Sequence, residues 1–282
     1  MADLADLIGT TYGPFPIPIT GDRVAAFAAA TGDDPNRWSS VAPAMLGNLA
    51  LFAAAPAFLN DEAVVPFTRS LIHSEQSFVW LRPLEVGETL EVAGAVEATR
   101  SRGPLNLVTF SLTARSERGP WLSGSSVFLL SKEAAAGAED AGEPDAEDRP
   151  PFDPAGDGLE FPVVGDPVVE LRCGASRSDL MRYAAASEDW NPIHFDHDAA
   201  RAAGLEGVIV HGLLMASWIG RLASRYGTMD AMNLRFRNPL RPAVPAVVTG
   251  STASVVGNTA ELNLVLSAED RRLVTAVVSV TA

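Results

Sequence analysis

Residues 211–226, HGLLMASWIGRLASRY, carry apolar side chains around most of a helical circumference. A surface helix keeps one polar face, so a helix of this composition belongs inside a domain. Downstream run MNLRFRNP (232–239), AVVTGSTASVV (246–256), AELNLVLS (260–267) and RLVTAVVSVT (272–281), each with period-two alternation and turn residues between. That is the pattern of strands half buried in an antiparallel sheet. Upstream, SDLMRYAAAS (178–187) has a helical period that EDWNP breaks, and PVVELRC (167–173) alternates like a strand. A strand, then helices, then a four-strand meander predicts an α+β domain whose antiparallel strands wrap one central helix.

The first part of the chain has the same order. DRVAAFAAAT (22–31) is helical and ends at GDDPN, and APAMLGNLALFAAA (42–55) is a second apolar helix. The strands SFVWLRP (77–83), TLEVAGAVEAT (89–99), NLVTFSLTAR (106–115) and WLSGSSVFLL (121–130) follow. Asp33 and Asp189, like Pro83 and Pro239, lie 156 residues apart, so the sequence predicts an internal duplication. Between the repeats, residues 132–160 hold ten acidic and two basic residues with four prolines and four glycines, a linker composition. The predicted division is therefore 1–131, an acidic linker 132–160, and 161–282. Shortening the linker while keeping its span is expected to leave activity nearly unchanged, because it cannot build a core.

Charge and composition exclude several functions. The 282 residues carry 21 basic and 35 acidic groups, a net of −14, which argues against nucleic acid as a partner. Lys132, beside the acidic linker, is the single lysine, so lysine Schiff-base and pyridoxal-phosphate chemistry are not expected. Neither a P-loop nor Gly-x-Gly-x-x-Gly occurs. No apolar run reaches the roughly 18 to 20 residues of a membrane span, and MADLADLIGT lacks the features of a signal peptide, so a cytoplasmic protein is expected. Cys173, the lone cysteine, is expected to be a buried structural thiol.

Three of the four histidines fall in SEDWNPIHFDHDAARAAGLEGVIVHGLLMAS (187–217). Asn191-Pro192 imposes a turn, so Asp189 and His194 flank a tight bend and can face one point. A carboxylate and an imidazole aimed at one water make an acid/base pair. His211-Gly212 then opens the apolar helix, whose first N–H groups have no intrahelical partner and can stabilise a carbonyl oxygen gaining negative charge. His211 is expected to support the site without itself transferring protons. A metal set of His194, His197 and Asp196 lacks a period that would converge the three side chains, so a metal is not expected there. His73, isolated before a strand, is expected to be structural.

Taken together, Asp189-Trp190-Asn191-Pro192-Ile193-His194-Phe195-Asp196, Ala203-Gly204 and Ile209-Val210-His211-Gly212 closely resemble the signature of the MaoC-like, R-specific enoyl-CoA hydratases. The resemblance is strong over about 176–226 and weaker over the strands that follow. It implies a double hot-dog fold, a catalytic dyad of Asp189 and His194, an oxyanion contact from the Gly212 backbone N–H, and an orienting turn residue in Asn191. In the first half, TGDDPNRW stands where SEDWNPIH stands in the second, Trp38 falls at the histidine position, and APAML (42–46) replaces the His-Gly opening. That half resembles the family's degenerate amino-terminal hot dog, which implies that it lends the acyl pocket; its small-residue helix either leaves room for a bulky acyl group or packs densely. The implied activity is reversible syn hydration of trans-2-enoyl-CoA to (R)-3-hydroxyacyl-CoA without a cofactor. Two alternatives remain at this point: a 3-hydroxyacyl dehydratase acting on acyl carrier protein, docked by Arg235, Arg237 and Arg241, and a non-catalytic thioester-binding module. Monomer and homodimer both stay open.

Overall fold

The computed structural model describes residues 3–154 and 156–282. The first half supplies strands β1 (Thr11–Pro18), β2 (Ser70–Trp80), β3 (Thr89–Arg102), β4 (Leu105–Ser116) and β5 (Gly119–Ser131). The second supplies β6 (Leu171–Cys173), β7 (Thr228–Phe236), β8 (Ala246–Val256), β9 (Thr259–Ala268) and β10 (Arg271–Thr281). They form one sheet in the order β1-β3-β4-β5-β2-β7-β10-β9-β8-β6, paired antiparallel throughout. Each half has the same internal order, reversed about the central seam. There β2 meets β7 with Phe78 opposite Met232, and Glu75 pairs with Arg235 at 3.2 Å.

The helices are α1 (Gly21–Ala30), α2 (Gly47–Leu59), α3 (Arg177–Ser187), α4 (His197–Ala202) and α5 (Gly212–Ala223). Every residue of α5 from Leu213 to Ala223 is buried, as its all-round apolar composition requires. Helix α2 packs on β1, β3 and β4, and α5 on β7 to β10. Helix α5 meets the turn before α2 where it carries Gly220: a Cβ there would lie 2.5 Å from Met45 Cγ. Glycine is what permits that approach. Two sheet-wrapped helices joined across a common seam make the expected double hot dog. No helix among the described residues is long and apolar enough to cross a membrane.

Three features depart from the sequence reading. Helix α2 begins at Gly47, after a 3-10 turn at Ala44–Leu46 that Pro43 precedes, and runs on to Leu59. Strand β1, TYGPFPIP, carries three prolines that hide its strand character; it lies at the sheet edge, where proline costs no interior ladder bond. The third is a correction. The segment after β5 forms no helix or strand among its described residues, yet it is docked on the second half. Its backbone accepts hydrogen bonds from Arg201 and Arg241, and Phe152 packs against Trp218. Composition argued against a core, but main-chain carbonyls need no core-forming side chains to bind arginine.

Candidate active site

Helix α3 ends at Ser187, whose hydroxyl donates back to the Tyr183 carbonyl at 2.7 Å and accepts the Asp189 N–H at 3.3 Å. Between them Glu188 takes a left-handed conformation, φ 63°, that turns the chain and carries Asp189 inward. The Asp189 Oδ1 accepts the Asn191 N–H at 3.3 Å, and the Asn191 side chain accepts the Ile193 N–H, starting a short 3-10 turn at Pro192–His194. The imidazole thereby faces the carboxylate across the bend, with His194 Nε2 3.9 Å from Asp189 Oδ2. That is too long for a direct hydrogen bond and suits two groups reaching for one oxygen. On the other side of the ring His194 Nδ1 lies 2.9 Å from the Ile209 carbonyl. A carbonyl only accepts, so Nδ1 carries the hydrogen and Nε2 turns its lone pair toward Asp189.

Both groups are withdrawn from water, with Asp189 at 7% and His194 at 6% exposure. Burial pushes the Asp189 carboxyl up to about 7, against a smaller lowering by the Asn191 N–H. Burial also lowers His194 to about 4. Across the interval between, the pair holds one carboxyl proton and one free imidazole lone pair, which is the state needed to give a proton and take one. The ring of His211 stacks on that of His194 at 3.8 Å, donates from Nε2 to the Asp189 carbonyl at 3.3 Å, and meets the Tyr183 ring edge at 4.9 Å. Burial first, then the neighbouring His194, holds His211 well below the ordinary histidine value, so it stays neutral. Gly212 follows as the first residue of α5, and the Phe236 ring lies so near that a Cβ would sit 3.1 Å from it.

Asp189, Asn191, His194, His211 and Gly212 are thus one cluster. Asp196 and His197 are not part of it: Asp196 caps α4 by accepting the Ala199 N–H, and His197 lies 3.2 Å from Asp140. Asp189, His194 and His211 do offer ligand atoms within 4.8 Å of one another. The two imidazole rings lie nearly parallel, 24° apart, and His211 Nδ1 is buried without a hydrogen-bond partner among the described residues. His73 lies between Phe128 and Phe236, each centroid 5.0 Å away, and burial lowers it to about 4. Cys173 is fully buried and its thiol is pushed up to about 12.

A polar group behind the site escaped the sequence reading. Asn48 Nδ2 of α2 lies within hydrogen-bond distance of the Tyr183 hydroxyl at 3.1 Å, the Leu213 carbonyl at 3.1 Å and Ser217 Oγ at 3.0 Å, sharing its two hydrogens among them. It ties the first half to the helix and the ring that back His211. A lone asparagine in the apolar run LGNLALF was the available signal. At the first half's counterpart, Asp33 accepts the Trp38 indole N–H at 2.9 Å and pairs with Arg37 at 3.2 Å. Indole is a donor only and cannot take a proton as His194 can. Arg221 of α5 reaches the Gly32 carbonyl beside it, and Phe152 lies 4.4 Å from that guanidinium.

Residues 162–260 match the MaoC like domain model, and residues 6–121 match the FAS1-like, dehydratase domain region. A mitochondrial 3-hydroxyacyl-[acyl-carrier-protein] dehydratase of Arabidopsis thaliana is 41% identical over 80 residues, 27% of this chain and 48% of that protein. The match therefore spans about half the length of that relative. The 3-hydroxyacyl-thioester dehydratase X of Mycobacterium tuberculosis is 24% identical over 227 residues, covering 79% of this chain and 74% of its own. Among solved structures, a MaoC-like dehydratase superimposes with TM-score 0.82 at 22% identity, covering 99% of both chains. A conserved hypothetical protein of M. tuberculosis described as having a double hotdog fold gives 0.67 at 13% identity, over 97% of this chain and 96% of that one.

Proposed function

We propose that this chain, which belongs to the MaoC-like proteins of double hot-dog form, is a hydro-lyase that adds water reversibly and syn to trans-2-enoyl-CoA, giving (R)-3-hydroxyacyl-CoA. The observation that carries the reading is the buried Asp189–His194 pair at 3.9 Å beside the start of α5. One water meets both side chains. His194 Nε2 takes a proton as the water oxygen bonds to the β-carbon, and the Asp189 carboxyl gives its proton to the α-carbon from the same side. The thioester oxygen gains charge meanwhile and is stabilised by the Gly212 N–H. Imidazolium and carboxylate then exchange a proton and restore the starting pair. His211 holds the His194 ring by stacking, and Asn191 holds the carboxylate. Residues 161–282 are the catalytic unit, 1–131 the supporting one, and 132–160 the connection.

A second reading takes the acyl chain on carrier protein, which the name of the Arabidopsis relative favours. Acidic carrier proteins need a basic dock. Of the three candidate arginines, Arg235 is paired with Glu75 and Arg241 binds backbone carbonyls, leaving Arg237 exposed. The phosphates of CoA would meet the same arginines, so substrate comparison decides between the two carriers. The test is loss of enoyl absorbance with crotonyl-CoA and with crotonyl-acyl carrier protein, with chiral analysis of the product. His194→Ala is expected to lose on the order of a hundredfold in kcat. A folded His194→Ala protein at near wild-type rate removes the dyad. Absence of turnover on either substrate by the wild type removes the enzyme reading.

A further inference from the structure

The hydrogen bond that sets the His194 tautomer ends on the carbonyl of Ile209, which belongs to no helix or strand. Its stretch is held from two sides. On one, the Val210 N–H donates to the Leu240 carbonyl at 2.7 Å and the Ile209 N–H to the Ile193 carbonyl at 3.2 Å. On the other lies the acidic segment. The N–H groups of Ala138 and Ala141 donate to the Gly204 and Glu206 carbonyls at 3.3 and 3.0 Å, like a short added strand. Arg201 binds three carbonyls at once, those of Ala138, Glu139 and Leu205, at 2.7 to 2.9 Å. Arg241, next to Leu240, binds the Ala141 and Gly142 carbonyls at 3.1 and 2.6 Å. Gly204 and Gly207, φ 85° and 153°, bring the loop against Ala135 and Ala136 and against Gly142 respectively. His197 pairs with Asp140 at 3.2 Å, and Arg177 with Glu143 at 2.8 Å.

We propose that residues 135–147 are a clamp whose anchors Arg201 and Arg241 are positioning residues for His194, because they fix the loop that presents the Ile209 carbonyl. The inference rests on the hydration reading for its consequence in rate, while the clamp itself is a matter of geometry. Two rigid contacts with a loop are worth more than one when a ring must be held to a fraction of an ångström. The acidic side chains of the clamp answer Arg177 and His197. The ionisable groups facing His194 itself are Asp189 and the stacked His211. Released from Ile209, the His194 ring is free to rotate and to meet water.

The experiment replaces residues 135–147 by an equal length of glycine and serine, with Arg201→Met, Arg241→Met as a second variant that leaves the segment's sequence intact. Circular dichroism and thermal melting check that each is folded. The clamp predicts a fall in kcat on the order of ten- to a hundredfold, with KM changed less than about threefold. It also predicts that the acid limb of kcat/KM moves from near pH 4 toward the ordinary histidine value of 6.5, because relief of burial, the larger influence on His194, outweighs loss of the Ile209 bond, which by itself lowers the value. A second readout needs no turnover: nitrogen NMR of the His194 ring should show the same upward move in both variants. An unchanged ring titration and a kcat within about twofold of wild type, in either folded variant, overturn the proposal. Absence of turnover in the wild type would strike the hydratase reading alone, since the ring titration still judges the clamp.

Discussion

Replacing Asp189 by asparagine is expected to remove activity and at the same time to improve the relative stability of the fold in alkaline solution. The carboxyl is buried and its proton is held to about pH 7, against an ordinary value of 3.8. Above 3.8 the unfolded chain has lost this proton while the folded one keeps it until about 7. Over that interval the unfolded state binds fewer protons, so the unfolding free energy of the wild type falls as pH rises and levels off above about 7. The whole gap corresponds to about 4 kcal/mol, of which about 3 kcal/mol accrues between pH 5 and 8. Asparagine has a similar shape and no such titration, and whatever its amide costs is the same at every pH. His194, neutral in the folded state above about pH 4, contributes nearly equally to both proteins over this range. Urea unfolding followed by tryptophan fluorescence at pH 5, 6.5 and 8 measures it. The variant should gain on the wild type by about 3 kcal/mol across the series while kcat falls on the order of a hundredfold. A stability difference that stays flat, or that shrinks as pH rises, would refute the assignment of a buried, proton-holding carboxyl to this position.

Turnover should have a working interval between about pH 4, below which His194 is protonated, and about 7, above which Asp189 loses its proton, with both limbs belonging to the coupled pair; a profile still rising through pH 9 would count against it. Trp38→Phe removes one hydrogen bond to Asp33 and should cost roughly 1 to 2 kcal/mol in denaturant titration while leaving kcat within about threefold. Complete loss of turnover in a stable variant would move the site to the first half. Residues 161–282 expressed alone expose the β7 edge and the α5 surface that Met45 and Asn48 cover, so size-exclusion chromatography should find self-association or insolubility. A well-behaved monomer would show that the halves do not depend on each other.

The parts of this molecule that were legible in the sequence are those whose signal is local. Helix α5 announced itself because burial on all sides leaves no polar stripe, and the meanders because alternation is written into each strand. The approach of Asp189 to His194 was legible because the two are separated by a single turn whose asparagine and proline dictate its shape. What escaped depends on distant partners. Asn48 meets Tyr183 across 135 residues, and nothing near either residue tells of the other. Strand β1 is defined by its neighbour β3 more than by its own proline-rich sequence. The acidic segment read as free chain because composition reports whether side chains can form a core. It is blind to carbonyls that arginines elsewhere will seek.

Helix α5 begins with Gly212 beside the dyad, and its later turns bring Ser217, Gly220 and Arg221 to the cleft around Asp33 and Trp38. A close-packed helix with no exposed face resists a change of volume and transmits part of the strain to what it touches. The cleft of the first half and the proposed site of the second therefore share one buried helix. Enlarging a side chain at Gly220, where Met45 leaves no room for a Cβ, would push on the same body that carries the Gly212 N–H. On the proposed assignment, the half that carries Trp38 in place of a histidine still bears on the alignment of the half that carries His194.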